Sequence, residues 1–161
     1  MTFPNVCAII MLVIIMTLPY RKPTRMTCYD YDTSGYYFVT ICTKDKECLF
    51  SHLVKGDVIL HPIGIIVKKH ILSLGKHYNN VFVDKYVIMP NHIHMIIVIY
   101  NDSNHHTNLS NVIGLLKSGI SREVNKSIWQ RSYYDHIIRN QKDYEEIWKY
   151  IDNNPMNWSF S

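Results

Sequence analysis

Glycine and proline are scarce in this sequence, with six of each among 161 residues, and there is no repeat or low-complexity tract. Collagen-like and linker-like chains are therefore excluded. Charged residues are also few, at 19%, whereas hydrophobic residues make up 47%, which is not the composition of an intrinsically disordered chain. The length fits one globular domain of about 150 residues. The net charge of +4 permits an anionic partner without requiring one.

Closely spaced cysteine pairs are absent. The two nearest cysteines, Cys42 and Cys48, are six residues apart, and the others are Cys7 and Cys28. This spacing is wider than zinc sites normally use, and it indicates no disulfide framework. We therefore expect reduced thiols, as in a cytoplasmic protein.

A long hydrophobic run is lacking too, although the start of the chain is strongly apolar. Residues 6–18 form a run of 13, interrupted only by Thr17, whereas a membrane span needs about 20. A secretory signal requires Lys or Arg before the apolar run, and none precedes this run. Three interpretations stay open for residues 1–20: a weakly membrane-associated segment, a packed helix or strand, or an extension upstream of a start such as Met26. We expect one functional domain over residues 21–161 and no membrane anchor in residues 6–18.

The rest of the sequence alternates between strand and helix patterns. Strands are predicted at residues 36–43 and 134–139, and two apolar runs, 81–89 and 92–100, predict an antiparallel hairpin. Helical spacing of apolar residues predicts helices over 58–74 and 109–125, and a third begins after the N-cap Asn140 and ends before Pro155. The order is β-α-β-β-α-β-α. It predicts an α+β fold of the ferredoxin-like type, with an antiparallel sheet and helices on one face.

The first candidate site is the segment His92-Ile93-His94 at the start of a predicted strand. Alternate residues of a strand share a face, so both imidazoles project together, with Cα atoms about 6.6 Å apart. Two imidazoles at that separation can bind one metal ion through bonds of about 2.1 Å. Taken alone, a His-x-His segment is more often two half-exposed histidines at a strand end.

The second candidate is Tyr150 in the last helix. The buried face of that helix is predicted from residues at positions i, i+3, i+4 and i+7: Tyr144, Ile147, Trp148 and Ile151. Tyr150 falls on the flank of this face, about 110° from its centre, and Asn154 follows one turn later. Taken alone, Tyr150 is typical of a boundary residue. His136, on the short strand, is either a site residue or a half-buried imidazole.

Six segments together resemble motifs of the REP-associated tyrosine transposases, which belong to the insertion-sequence-200-like group of single-tyrosine HUH transposases. The segments occur in the family's order over about residues 21–158: RKPTR, YDYDTSGYYFVTICT, MPNHIHMII, LKS, WQRSYYDHIIRN and YIDNNP. The family's fold is a ferredoxin-like α/β sandwich, as the periodicity also predicts. The apolar residues 1–20 have no counterpart in the resemblance.

The resemblance implies a metal-assisted reaction on DNA. The histidine pair of the family corresponds to His92 and His94, its nucleophile to Tyr150, and its third metal ligand to Asn154, where other branches have glutamine. A divalent ion, Mg²⁺ or Mn²⁺, would polarise a phosphodiester of single-stranded DNA. Tyr150 would attack the phosphorus, leaving a 5′-phosphotyrosine and a free 3′-hydroxyl that can later rejoin the strand.

The resemblance also implies partners. The expected substrate is single-stranded DNA with palindromic hairpins, without a nucleotide cofactor, bound by a monomer or homodimer in the cytoplasm, or at the nucleoid when on DNA. Expected phosphate contacts are Lys117, Arg131 and Arg139; taken alone, Lys117 fits a solvated helix face. Two alternatives stay open: a non-catalytic hairpin-binding protein, and a metal-dependent phosphoesterase that uses water as its nucleophile.

Overall fold

A four-stranded antiparallel sheet lies at the centre of the structure, a computed structural model that describes residues 34–158. Expectations for residues 1–20, Cys7, Met26 and Cys28 lie outside the described residues. Within residues 34–158, no helix is both long enough and apolar enough to cross a membrane.

The described chain contains six strands and three α-helices, with two short 3₁₀ helices at Lys44–Lys46 and Pro155–Asn157. The strands are β1 (Gly35–Cys42), β2 (Ser51–Val54), β3 (Asp57–Leu60), β4 (Val81–Ile88), β5 (His92–Ile99) and β6 (Tyr134–Ile138). The helices are α1 (Pro62–His77), α2 (Leu109–Val124) and α3 (Gln141–Asn153). As predicted, Asn140 caps α3, because its side-chain oxygen accepts a hydrogen bond from the Asp143 backbone N–H.

The main sheet has the strand order β4-β5-β1-β6, and β2 pairs with β3 in a separate hairpin. Strands β1 and β5 are central, and every pairing in the sheet is antiparallel. Their register places Cys42 opposite His92 and Gly35 opposite Ile99. Except at its first residue, β5 is buried throughout, as expected for a strand covered on both faces.

Helices cover both faces of this sheet. Helices α1 and α2 pack on one face, against the odd-numbered residues of β1 and β5; examples are Tyr37, Val39, Ile41, Ile93, Met95 and Ile97. Helix α3 packs on the other face, where Ile151 joins the even-numbered Phe38, Ile96 and Val98. The expectation of helices on one face was therefore wrong, because α3 follows an edge strand and buries its apolar stripe on the opposite side.

The predicted α+β class and antiparallel sheet are confirmed, but the predicted element order was incomplete. Strands β2 and β3 come between β1 and the first helix, and residues 58–60 belong to β3 rather than to that helix. The hairpin turns at Lys55-Gly56, where both residues have positive φ angles of 53° and 88°. The lysine in place of the usual Asn or Asp removes the strongest sequence signal for such a turn.

Gly64 gives a sharp test of this packing. It is buried in the first turn of α1, where an added Cβ would lie 2.0 Å from the carbonyl oxygen of Phe50. We expect Gly64→Ala to lower the free energy of unfolding by about 2 kcal/mol or more, because the obstructing atom is backbone that cannot rotate away. Urea unfolding followed by circular dichroism measures the change.

The matched control is Gly114→Ala in α2. A Cβ at this exposed position would meet nothing within 4 Å, so only helix propensity should act. We expect this variant to be more stable by about 0.5–1 kcal/mol. Equal effects of the two substitutions would contradict the close contact of α1 with Phe50.

Candidate active site

His92 and His94 lie side by side at the start of β5, on the sheet face that carries α3. Their ring centroids are 4.5 Å apart. His94 is only 3% exposed, whereas His92, as the first residue of the strand, is half-buried. The face-sharing predicted from the strand period therefore brings both imidazoles to one place.

Each imidazole is oriented by a hydrogen bond at Nδ1. The His92 Nδ1 lies 2.7 Å from the amide oxygen of Asn91, and the His94 Nδ1 lies 2.8 Å from the hydroxyl oxygen of Thr40. The amide oxygen can only accept, so His92 donates from Nδ1 and its lone pair is on Nε2. Metal-binding histidines typically have their other ring nitrogen held in this way.

Burial keeps both histidines neutral. It lowers the pKa of His92 to about 4, and burial together with the neighbouring His92 lowers the pKa of His94 well below its usual range. At neutral pH both rings therefore carry no charge. Neutral imidazole is the form that binds a metal ion.

Tyr150 reaches the histidine pair from the last turn of α3. Its hydroxyl oxygen is 3.3 Å from the Nε2 of His94, and the two rings meet edge to face. This bond and the Thr40 bond are both satisfied when His94 carries its proton on Nδ1 and accepts at Nε2. Ile151 beside it is buried, which fixes the rotation of the helix. Tyr150 thus lies on the flank of the buried face, where the helical period predicts it.

Asn154 lies at the same end of α3, one turn after Tyr150. It is the half-buried C-cap residue, and the chain then turns through the 3₁₀ helix Pro155–Asn157. The ring of Trp158 follows and packs 5.5 Å from the ring of His92. The segment that follows Asn154 therefore returns to the histidine pair.

The donor set fits a divalent metal ion in part. Two neutral imidazoles on one face, each with an oriented Nδ1, are suitable ligands. No group of three His, Cys, Asp or Glu residues that could hold a metal ion occurs within residues 34–158. Any ion at this pair therefore needs oxygen ligands of another kind, such as the amide of Asn154 or the phosphate of a substrate.

Lys117 and Arg131 lie close together, at the end of the sheet where β1 finishes. The Lys117 ammonium donates to the backbone carbonyls of Gln130 (2.6 Å) and Arg131 (3.2 Å), and burial lowers its pKa. Its ammonium therefore holds the backbone of residues 130 and 131, while the exposed Arg131 faces solvent. The backbone N–H of Gln130 donates to the carbonyl of Cys42, which is the residue opposite His92.

His136 and Arg139 lie elsewhere, at the start of α3. The Nε2 of His136 is 2.9 Å from a carboxylate oxygen of Asp143, and the backbone N–H of Arg139 contacts the same carboxylate. Asp143 is in the first turn of α3, whereas Tyr150 is in its last turns. Of the residues predicted from the sequence, the structure thus joins His92, His94 and Tyr150 by direct contacts, and it groups Lys117 with Arg131.

Thr40 and Asn91 are site residues that the sequence did not identify. Asn91 directly precedes His92, so its position in the turn is the signal that could have found it. Thr40 carries no such signal, because its contact with His94 depends on the register between β1 and β5.

Thr40→Val tests the orienting role of this hydroxyl. Valine has the same shape but cannot accept the Nδ1 proton of His94, so we expect any Mn²⁺ held by the histidine pair to bind about 10–100-fold more weakly. Titration followed by electron paramagnetic resonance measures the free ion. Thr40→Ser keeps the hydroxyl and should restore most of the affinity; a valine variant that binds as tightly as the wild type would contradict this role.

The sheet with its three helices is a fold that occurs in solved transposases. It is similar to a REP-associated tyrosine transposase bound to a REP hairpin, with a TM-score of 0.65 and 22% identity over 84% of this chain and 76% of that one. It is also similar to a putative transposase from Deinococcus radiodurans, with a TM-score of 0.50 and 14% identity over 80% and 95% of the two chains.

A sequence relative gives the family. No family model matches this sequence. An uncharacterized protein of Haemophilus influenzae is 36% identical over 162 residues, which covers 86% of this chain and 90% of that protein. The chain belongs to the same family as this Haemophilus influenzae protein.

Proposed function

We propose that this protein is a transposase-like DNA strand transferase that cleaves and rejoins single-stranded DNA at hairpins. The observation that carries the proposal is the contact between the Tyr150 hydroxyl and His94, beside the paired ring of His92. A phenol next to two neutral imidazoles is suited to nucleophilic attack on a phosphodiester. That a transposase of similar fold is bound to a REP hairpin supports hairpin DNA as the partner.

Tyr150 is the proposed nucleophile. Its oxygen attacks the phosphorus while its proton passes to water, and the bond from phosphorus to the 3′-oxygen breaks. That oxygen takes a proton from water, so the products are a 5′-phosphotyrosine and a free 3′-hydroxyl. The phosphotyrosine retains the energy of the phosphodiester, so attack by a 3′-hydroxyl rejoins DNA without a nucleotide cofactor.

His92 and His94, through Nε2, and Asn154, through its amide oxygen, are the proposed metal ligands. When bound, Mg²⁺ or Mn²⁺ would stabilise the negative charge that develops at the phosphate and at the phenol oxygen, whose ordinary pKa is about 10. Imidazole is a softer ligand than Mg²⁺ prefers, so we expect Mn²⁺ to bind more tightly.

Two groups would use the Nε2 lone pair of His94 in this proposal. It accepts the Tyr150 hydroxyl in this structure, and it is also the atom proposed to bind the metal ion. One lone pair cannot do both. Metal binding would therefore release the hydroxyl of Tyr150 from His94 and make it available to the substrate.

The remaining parts of the proposal concern fold type and setting. We assign the sheet to the ferredoxin-like type, because β5 lies between β1 and β4 while β1 lies between β5 and β6. This is the arrangement of two interleaved split β-α-β units. We propose that the protein acts in the cytoplasm, at the nucleoid when bound to DNA, as a monomer or homodimer.

Incubation with a hairpin-containing single-stranded oligonucleotide and Mn²⁺ tests the proposal. We expect a covalent protein–DNA adduct on a denaturing gel, dependent on the divalent ion and absent in EDTA. Failure to form an adduct with any divalent ion would contradict strand transfer. Release of cleaved DNA without an adduct would indicate a phosphoesterase, and hairpin binding without cleavage would indicate a binding protein.

A further inference from the structure

An open basic cleft lies beside the candidate active site. It has a volume of about 880 Å³ and is formed by two loops, the 3₁₀ segment Lys44–Lys46 and residues 127–131. Its lining includes the exposed cations Lys44, Lys46 and Arg131.

The charges around this cleft favour an anion. Against its three cations, the lining contains one carboxylate, that of Asp45. Glu47, next to the loop, is paired with Lys126 at 3.5 Å. Lys46 and Lys117 both act to lower the pKa of the Cys42 thiol, which burial raises, so their positive potential reaches the strand end opposite His92.

Hydrogen bonds tie the cleft to the histidine pair through Asn91. The backbone N–H of Thr43 donates to the Asn91 carbonyl (2.8 Å), and the Asn91 side-chain NH₂ lies 3.4 Å from the carbonyl oxygen of Lys46. The amide oxygen of the same side chain accepts the Nδ1 proton of His92. One residue thus contacts both the basic loop and a proposed metal ligand.

The second loop is held in place by hydrogen bonds to its backbone. The backbone N–H of Lys44 donates to the carbonyl of Ile128, and Lys117 holds the carbonyls of Gln130 and Arg131 from behind. These hydrogen bonds fix the backbone of residues 128–131, from which the exposed side chain of Arg131 extends.

We propose that this cleft binds the phosphodiester backbone of the DNA strand next to the phosphate that Tyr150 attacks. Lys44, Lys46 and Arg131 supply the phosphate contacts, and Lys117 positions the backbone that carries Arg131. The proposal rests on the proposed function, and it adds Lys44 and Lys46 to the residues that recognise DNA. A backbone contact of this kind favours no base sequence.

The test is the salt dependence of DNA binding by Lys44→Gln/Lys46→Gln and by Arg131→Gln. Fluorescence anisotropy with a hairpin that carries a single-stranded flank, in Tyr150→Phe so that no adduct forms, gives the affinity. For single strands the slope of log K against log salt changes by about 0.7 for each phosphate that the protein no longer neutralises. We expect the double variant to flatten the slope by about 1.4 and to bind about 10-fold or more weakly at low salt.

The matched control is Lys68→Gln/Lys76→Gln on α1, which removes the same charge from residues outside the cleft. It should keep a slope close to that of the parent. Equal slopes for the two double variants would contradict the proposal that the cleft binds DNA. If the wild type forms the Tyr150 adduct and the slopes are equal, only DNA binding by the cleft is refuted. If the slopes differ and no adduct forms, DNA binding by the cleft is supported and strand transfer is refuted.

Discussion

Tyr150→Phe is expected to abolish formation of the covalent adduct while leaving hairpin binding unchanged. Phenylalanine keeps the ring that packs edge to face on Phe38 and His94, so the fold around the site should persist. Only the hydroxyl that is proposed to attack the phosphorus is removed. Because Tyr150 is the proposed nucleophile, the adduct should fall below detection on a denaturing gel.

Mn²⁺ affinity separates this effect from damage to the site. In the proposed site the ion would compete with the Tyr150 hydroxyl for the His94 lone pair, so the phenylalanine variant should bind Mn²⁺ at least as tightly as the wild type. Tyr144→Phe is the control on the same helix. In the wild type the Tyr144 hydroxyl donates a hydrogen bond to Asp84. Burial, and to a smaller extent the Asp84 carboxylate, raises the pKa of Tyr144 to about 12. An adduct that survives in Tyr150→Phe and disappears in Tyr144→Phe would move the nucleophile to Tyr144.

His94→Gln is expected to remove both metal binding and strand transfer. Glutamine approximates the buried volume of the imidazole but cannot supply the same Nε2 lone pair together with the Thr40 contact. Loss of a residue that merely orients a ligand costs about 10–100-fold in metal affinity, so loss of a proposed ligand such as His94 should cost at least about 100-fold. Paramagnetic resonance of Mn²⁺ and the yield of adduct measure the two effects.

His136→Gln is the matched control for that experiment. His136 projects from β6 on the same face of the sheet, but its Nε2 contacts Asp143 at the other end of α3. We expect the control to keep its Mn²⁺ affinity. If its affinity fell as completely as that of His94→Gln, His136 would have to be included among the ligands.

The part of the site that could be predicted from the sequence depends on local periods. His92 and His94 share a face because a strand alternates, and Tyr150 lies on a flank because an α-helix turns by about 100° per residue. Neither period says that these surfaces meet. Their contact requires α3 to pack on the even-numbered face of the sheet, which is a tertiary feature with no local signal.

Contacts that cross the sheet could not be predicted for the same reason. Thr40 reaches His94 only in the observed register of β1 and β5, and a shift by one residue would turn it to the opposite face. The ammonium of Lys117 contacts carbonyls 13 and 14 residues further along the chain, so its role depends on how the 127–131 loop folds.

The β2–β3 hairpin was missed because a Lys-Gly turn resembles ordinary polar sequence.

Net charge was also a poor guide to this molecule. The value of +4 is a sum over 161 residues, whereas Lys44, Lys46 and Arg131 lie together at one end of the sheet. The histidine pair of the candidate site is neutral at pH 7, because burial lowers the pKa of both imidazoles. A weakly basic composition can therefore contain a cleft with a net positive lining when two loops bring cations together.

Peptide mapping of the adduct by mass spectrometry tests the central claim most directly. The wild-type protein is incubated with hairpin DNA and Mn²⁺, digested with protease and nuclease, and searched for a peptide that carries a nucleotide 5′-phosphate. We predict that the modification lies on Tyr150. A nucleotide on any other residue, or DNA cleaved with no modified peptide, would contradict the proposed mechanism.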